Sequence, residues 1–386
     1  MKKQILILMA FVLALVAGIQ NAHAQDLTTA PLGCPTAIPI GCLTTSSPLN
    51  PLPGTPYDYE VNVTVPSGTP TFTYDWFVTT DKNFITATAL TGTFDAIPST
   101  HIAAIGTGAG LSTYHGAAGN TNKINITWQS FVPDAANPVF LVIYVKNTAT
   151  CTNDNIQVFE IKPQPAFTLD LANITAAGVG AADAYATCVA PVVGAFYDDI
   201  TKKVIMDYGE NYVYFSVTAA NFNHSWKPSF QASTSILLGT STMDVAWAYK
   251  AESYTGATSI VWHTTTLNAG TYESTDVVNA PSNGAVGSSG ECIIVRVHID
   301  HNNEPTLLDN TITFAVDGVM KDPAATVAAN YYTNTAFGDL HSNSADAADC
   351  GKTDGFKYDK TTQIISARPT IIEVTPASPA FIPKTN

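Results

Sequence analysis

The chain has 386 residues, of which 46% are hydrophobic and only 12% charged, with a formal net charge of −14. A chain this acidic and this poor in Lys and Arg lacks the cations that neutralise phosphate, which excludes nucleic acid and disfavours an anionic membrane surface as partners. At roughly 100–200 residues per domain the length allows two domains or three, with ample apolar material for their cores.

Residues 1–24 read as a signal peptide. Lys2 and Lys3 precede the apolar run Ile5–Gly18, and Ala22-His23-Ala24 has the small-x-small cleavage pattern, so the mature chain is expected to begin at Gln25 and to be exported. The run is shorter than the roughly 20 residues of a spanning helix, and no later stretch is apolar enough to insert in a membrane. No cysteine ends the segment, so no lipid anchor is expected. Residues 25–56, rich in Pro, Thr and Ser, read as an extended leader tied down by cysteines or, alternatively, as a free assembly arm.

From residue 57 the signal is β. Tyr57–Val65 alternates apolar with polar residues, as a half-buried strand does. Thr71–Thr79 follows, with Trp76 aimed at the core. Lys123–Gln129, carrying Trp128, and the apolar Val139–Val145 read as a pair of sandwich strands, with one more strand at Ile156–Ile161, closing a first domain, 57–165, that ends at Pro163-Gln164-Pro165.

In 166–375 the expected strands are Phe167–Leu171, Val192–Tyr197, Lys203–Asp207, Tyr212–Thr218, Met243–Tyr249 with Trp247, Ser259–His263 with Trp262, Cys292–Ile299, Thr311–Val316 and Thr370–Val374. Asp317-Gly318 reads as a tight turn. Helical signal is brief, at Ala172–Ala190, Pro323–Tyr331 and Ser344–Cys350, and a Pro-rich tail fills 376–386. Many short strands between turn residues predict an all-β protein of two β-sandwiches, the second larger, with insertions near 250–290 and 318–360.

Six cysteines remain in the exported chain: Cys34, Cys42, Cys151, Cys188, Cys292 and Cys350. Their number is even and none is in C-x-x-C spacing, so disulfides are expected rather than a zinc site, with connectivity open. Cys34 and Cys42 are close enough for a local bridge; failing that, either staples the leader to Cys151.

Three patterns bear on chemistry. His298-x-Asp300-His301, with Glu304, Asp309 and Asp317 downstream, offers a metal set, since His298 and Asp300 share a strand face. Asp346, Asp349, Asp354 and Asp359, with Gly351 and Gly355, have the composition of a Ca²⁺ loop, and equally of ordinary turns. Trp226, in the turn-rich Asn221–Pro228, is the candidate exposed platform for a glycan. No G-x-S-x-G elbow or phosphate loop is present and the carboxylates follow no paired pattern, so no enzyme and no bound cofactor are expected.

The run Tyr74-Asp75-Trp76, Ile124–Trp128, Val139–Val145 and Asn147–Cys151 resembles the PKD-like and immunoglobulin-like modules of secreted Bacteroidota surface proteins, over residues 51–165. The resemblance implies two immunoglobulin/PKD-like sandwiches used as spacers, adhesion units or subunits of surface structures. With it, the sequence points to a secreted, non-enzymatic structural or adhesion protein of the cell surface or extracellular matrix. Its partners would be itself, as a fibre subunit using its terminal arms, or other surface proteins. The alternative is a glycan-binding module with a polysaccharide partner.

Overall fold

The computed structural model describes residues 26–35, 47–65, 69, 71–86, 89–90, 101–106, 121–129, 131, 138–149, 153–164, 167–222, 224–280, 291–322, 325–334, 337–339 and 359–371. The leader segment 1–24, the tail 376–386, Cys42, Cys151, Cys350 and the loop carrying Asp346, Asp349 and Asp354 lie outside the described residues. The fold is all-β; among the described residues helix is confined to short 3-10 turns such as Lys250–Glu252 and Ala328–Asn330.

The first part supplies β1 (Pro56–Glu60), β2 (Phe72–Thr79), β3 (Ile85–Thr86), β4 (Ala89–Leu90), β5 (Ile102–Ile105), β6 (Lys123–Trp128), β7 (Val139–Asn147) and β8 (Asp154–Ile161). They form two antiparallel sheets, in the orders β1-β6-β5 and β2-β7-β8, with β3–β4 a separate hairpin. Alternation along β6 sends Ile124, Ile126 and Trp128 to one face, where they are buried against Trp76, Leu141, Ile143 and Val145 of the facing sheet. Each such side chain contributes roughly 1.5–3 kcal/mol by leaving water. The intervening residues of β7, Phe140, Val142 and Tyr144, meet Phe77 and Phe84 on the outer face. That second cluster explains why β7 reads as an unbroken apolar run rather than an alternating one.

The polar edges of both tryptophans are satisfied. Trp76 donates to the Thr121 carbonyl at 3.1 Å, and Trp128 donates to the Tyr59 hydroxyl at 2.8 Å, which in turn donates to the Pro48 carbonyl. The alternation over Tyr57–Val65 is only partly used: the ladder to β6 runs from Pro56 to Glu60, and Val61 adds one bond to Asn122.

The second part supplies β9 (Thr168–Ile174), β10 (Gly180–Ala181), β11 (Tyr185–Cys188), β12 (Gly194–Asp198), β13 (Lys203–Asp207), β14 (Glu210–Ala220) and β15 (Trp226–Thr234). It continues with β16 (Thr242–Tyr249), β17 (His263–Asn268), β18 (Thr271–Ser274), β19 (Glu291–Asp300), β20 (Asn310–Met320) and β21 (Asp359–Ser366). Eleven of these strands are hydrogen-bonded in the order β10-β9-β14-β19-β16-β17-β18-β15-β20-β21-β11. β17 pairs with β16 through His263 and Thr264 and with β18 through Thr265–Asn268, so the sheet folds over at this strand into two leaves.

The leaves enclose one core. Phe215, Val217, Trp247, Val295 and Val297 face Phe230, Ile312, Phe314, Val316 and Ile365, and the Phe215 and Phe314 rings stack at 4.3 Å. At the other margin, side chains bridge the leaves: Gln363 donates to the Tyr214 carbonyl and Asn173 to the Thr362 carbonyl at 2.8 Å.

Three expectations are corrected in this part. Asp317-Gly318 is no turn: both residues lie within β20, opposite Ser229 and Pro228 of β15. Glycine stands there because the Trp226 ring covers it, and a Cβ would sit 2.6 Å from that ring. The Ala-rich stretch 172–190 forms β9, β10 and β11, since strand pairing outweighs its weak helical propensity. The strand near Trp262 begins at His263. Of the strand expected at 370–374, Thr370 and Ile371 are in no strand and 372–374 lie outside the described residues.

Residues 26–35 form a strap across the outer face of β9, β14 and β19. Leu27 is buried against Ile174, Tyr214 and Ile294, and its N–H bonds to the Ser253 carbonyl. Ser216 and Thr218 donate their hydroxyls to the carbonyls of Gly33 and Pro35, each at 2.8 Å. Cys34 is bridged to Cys292, 258 residues away. The expected partners Cys42 and Cys151 are thus displaced: the strap carries Cys34 directly over β19, where its Cα stands 6.2 Å from that of Cys292. The free-arm reading of the leader fails for these residues for the same reason.

Candidate interaction surface

Among the described residues, those singled out for metal or glycan chemistry are not gathered into such sites. His298 lies on the outer face of β19, with Nδ1 2.7 Å from Asp244 and Nε2 3.4 Å from Glu210, and its ring is stacked on Tyr212 at 4.6 Å. Burial pulls its pKa down, but the hydrogen bond and charge of Asp244, with Glu210 and Asp300, leave it raised. Asp300 accepts the Asn302 N–H at 2.9 Å, and His301 turns into the interior instead of joining His298. Among the described residues no three His, Cys, Asp or Glu side chains converge on a metal position.

Trp226, expected to be exposed, is fully buried between Phe167, Leu169 and Gly318. It opens a core strand rather than a loop, which the flanking turn residues disguised. His263 and Asp276 approach to 2.8 Å near Ser274, a proximity invisible in the sequence. Ser274 is already committed, accepting from the Trp247 indole and donating to the Asp276 carbonyl, so this is a packing arrangement and no nucleophile.

A different surface stands out. The β12–β13 hairpin belongs to neither leaf. Its turn is fixed by Asp198, whose carboxylate accepts from Ile200 N–H at 2.9 Å and from the Thr201 hydroxyl, which holds its pKa below the ordinary value. Lys202 takes the left-handed conformation, φ 57°, that closes the turn. Successive strand residues point to opposite faces, and here Phe196 and Tyr197 are 58% and 56% exposed. The hairpin therefore carries apolar side chains on both faces, and none of the described residues covers Phe196 or Tyr197. Val204 and, at 91%, Ile200 add to the exposed area.

At the hairpin base lies a groove of about 510 Å³, lined by residues of 189–192, Met206 and Tyr208 together with Pro305, Leu307, Arg368, Pro369 and Ile371. A buried polar network holds the walls. Asn211 accepts from the Ala190 N–H at 2.9 Å and donates to the Cys188 carbonyl at 3.1 Å. His301 lies 2.8 Å from Asn211 Oδ1 and 3.1 Å from the Thr306 hydroxyl, an arrangement suited to a neutral ring that donates from Nε2 and accepts at Nδ1. Burial first, and the Arg368 charge second, push its pKa down to about 4. Arg368 closes the far wall, donating its backbone N–H to Thr306 at 2.7 Å and laying its guanidinium 4.9 Å from the Tyr208 ring centre. Cys188, an exposed thiol, ends the edge strand β11 beside this groove.

Sequence reasoning had placed strands at Val192–Tyr197 and Lys203–Asp207 but not their exposure. The available signal was the adjacent apolar pairs Val192-Val193 and Phe196-Tyr197, which alternation cannot bury on one face.

No family model matches the chain, and no curated protein does. Among solved structures it is similar to the N-terminal domain of PorA, at 10% identity over 52% of this chain and 98% of that one, with a TM-score of 0.19. It is likewise similar to the C-terminal domain of the Streptococcus agalactiae AgI/II polypeptide BspA, at 11% identity over 75% and 94% of the two chains, TM-score 0.21. A third similar structure is AvmM, which catalyses macrocyclisation in alchivemycin A biosynthesis, at 8% identity over 54% and 92%, TM-score 0.24. Scores this low carry no argument about function.

Proposed function

We propose that this protein is a secreted, non-enzymatic structural or adhesion component of a cell surface or extracellular matrix, built as two sandwich domains, and that it works by holding other proteins through the β12–β13 hairpin and its groove. The observation that carries the reading is the hairpin itself, apolar on both faces and uncovered among the described residues. Contiguous apolar patches on a water-facing surface mark protein contact sites. The patch is aliphatic and aromatic, with Tyr, Phe and Arg at its centre, the composition of interface cores. The Cys34–Cys292 bridge suits an oxidising, extracellular setting, and the PKD-like resemblance of residues 51–165 suits a surface module. The glycan alternative rested on Trp226 and loses its platform with that residue buried.

The test is retention at the surface. In the organism that makes it, the wild-type chain is expected to fractionate with the cell surface, and the double variant Phe196→Asp/Ile200→Asp to appear folded in the medium. Both side chains are exposed, so the variant is expected to keep the wild-type melting temperature. Equal retention of a folded double variant would overturn the role assigned to the hairpin.

A further inference from the structure

We propose that the groove beside the hairpin receives residues 372–386 of a second copy, so that copies join through their C-terminal segments. The inference rests on the protein-docking reading above and names its partner. The chain itself leads to the groove: Arg368 and Ile371 are groove walls, and Ile371 is 95% exposed, so residues 372–386 start at the rim.

The composition of that segment fits the site. Ile372-Glu373-Val374 is followed by prolines at 376, 379 and 383, with Phe381-Ile382 between the last two. The groove is lined by Val, Pro, Leu and Tyr side chains, and its volume is within the roughly 300–1,000 Å³ typical of sites that enclose apolar groups. A Phe-Ile pair is a matching plug for such a site.

The same prolines decide between the chain's own groove and a neighbour's. Proline fixes its own backbone, and it drives the residue before it into extended conformation. Prolines at this spacing favour extended backbone, which rises about 3.1 Å per residue. Phe381 is ten residues beyond Ile371 in sequence, so a segment that follows this preference reaches roughly 30 Å, past its own groove and toward a neighbour's. Because the segment leaves each copy beside that copy's own groove, the same contact closes a dimer when two copies exchange segments and builds open chains when the segment is passed on in one direction.

The experiment is light-scattering mass after size exclusion, over a wide concentration range, on the chain from Gln25. The expected result is a mass that rises with concentration to at least double that of one chain. Deletion of 372–386, the point variant Phe381→Asp/Ile382→Asp and the groove variant Val192→Glu/Leu307→Glu are each expected to stay monomeric with unchanged melting temperature. The decisive arm mixes the groove variant with the tail deletion: one brings an intact tail and the other an intact groove, so they should form a one-to-one pair and nothing larger. A wild-type chain monomeric throughout, or oligomers that survive loss of the tail, would overturn the inference. If the tail variants still assemble while Phe196→Asp/Ile200→Asp does not, the tail is refuted and the hairpin surface stands. If both sets assemble alike, the docking surface itself is wrong.

Discussion

The strap 26–35 and the β12–β13 hairpin are both additions to the eleven-stranded sheet, and they meet opposite fates. The strap brings few apolar side chains, yet Leu27 is buried, its backbone bonds to residues 176, 178 and 253, and a disulfide seals it to β19. At its start Asp26 accepts from the Trp262 indole at 2.6 Å, and the Arg296 guanidinium lies 4.2 Å from that indole's ring centre. The hairpin brings Phe196, Tyr197, Ile200 and Val204 and buries none of them. A two-stranded hairpin alone is marginal in water, and this one is held chiefly at its base, through Val193 to Asp207 and Tyr208 to Asn302. One addition spends its contacts on stability; the other leaves them open, where a partner can use them.

The largest break in that contrast should come from the disulfide. Closing a loop of 258 residues between Cys34 and Cys292 is worth up to about 5 kcal/mol in the chain-entropy model. Cys34→Ser/Cys292→Ser is therefore expected to lower the thermal midpoint of the second sandwich by many degrees, and reduction of the wild type to do the same. An unchanged midpoint in both would mean that the strap is held by Leu27 and its hydrogen bonds alone.

The next contrast pairs two single truncations. Leu27→Ala removes a fully buried side chain and should cost about 2–4 kcal/mol. Ile200→Ala trims a side chain 91% exposed and should stay within about 0.5 kcal/mol. Urea midpoints measured side by side settle this. Comparable losses at the two positions would show the hairpin to be packed against something in solution, most simply a second copy.

What was legible in the sequence follows the same division. Strands whose pattern is set by burial were placed close to where they lie: Val139–Val145 and Cys292–Ile299 fall inside β7 and β19. The core roles of Trp76 and Trp128 were readable because alternation names the buried face. Errors arose where a tertiary neighbour overrides a local signal. Asp317-Gly318 has turn chemistry, but Trp226 lying over Gly318 makes it strand. Trp226 has loop-like flanks, but it begins a core strand. The Cys34–Cys292 pairing depends on where the strap crosses the sheet, which no spacing encodes. The groove is built from segments around 190, 206, 305 and 370, and only the fold brings them together.

In the wild type the smallest net effect expected is a pH dependence in which two opposed titrations, at His301 in the groove base and Asp317 in β20, nearly cancel. The folded-state pKa of His301 is lowered from 6.5 to about 4, so as pH falls through this window the unfolded chain takes a proton that the folded chain refuses. Stability present above pH 6.5 is then lost toward pH 4, by up to about 3 kcal/mol. Asp317 runs the other way. Desolvation raises its carboxyl from 3.8 to about 7 against the Gly318 N–H that it accepts at 2.6 Å, so its stabilising contribution is full below pH 3.8 and gone once pH passes 7. Between pH 4 and 6.5 the two slopes oppose each other and the wild-type stability should change little. Asp317→Asn keeps an acceptor for Gly318 and abolishes the titration. It is expected to raise the urea midpoint at pH 8, leave it unchanged at pH 4, and so uncover the rise with pH that belongs to His301. An equal shift at both pH values would show that the substitution acts through packing beside Trp226, and that the buried charge on Asp317 costs the fold nothing measurable.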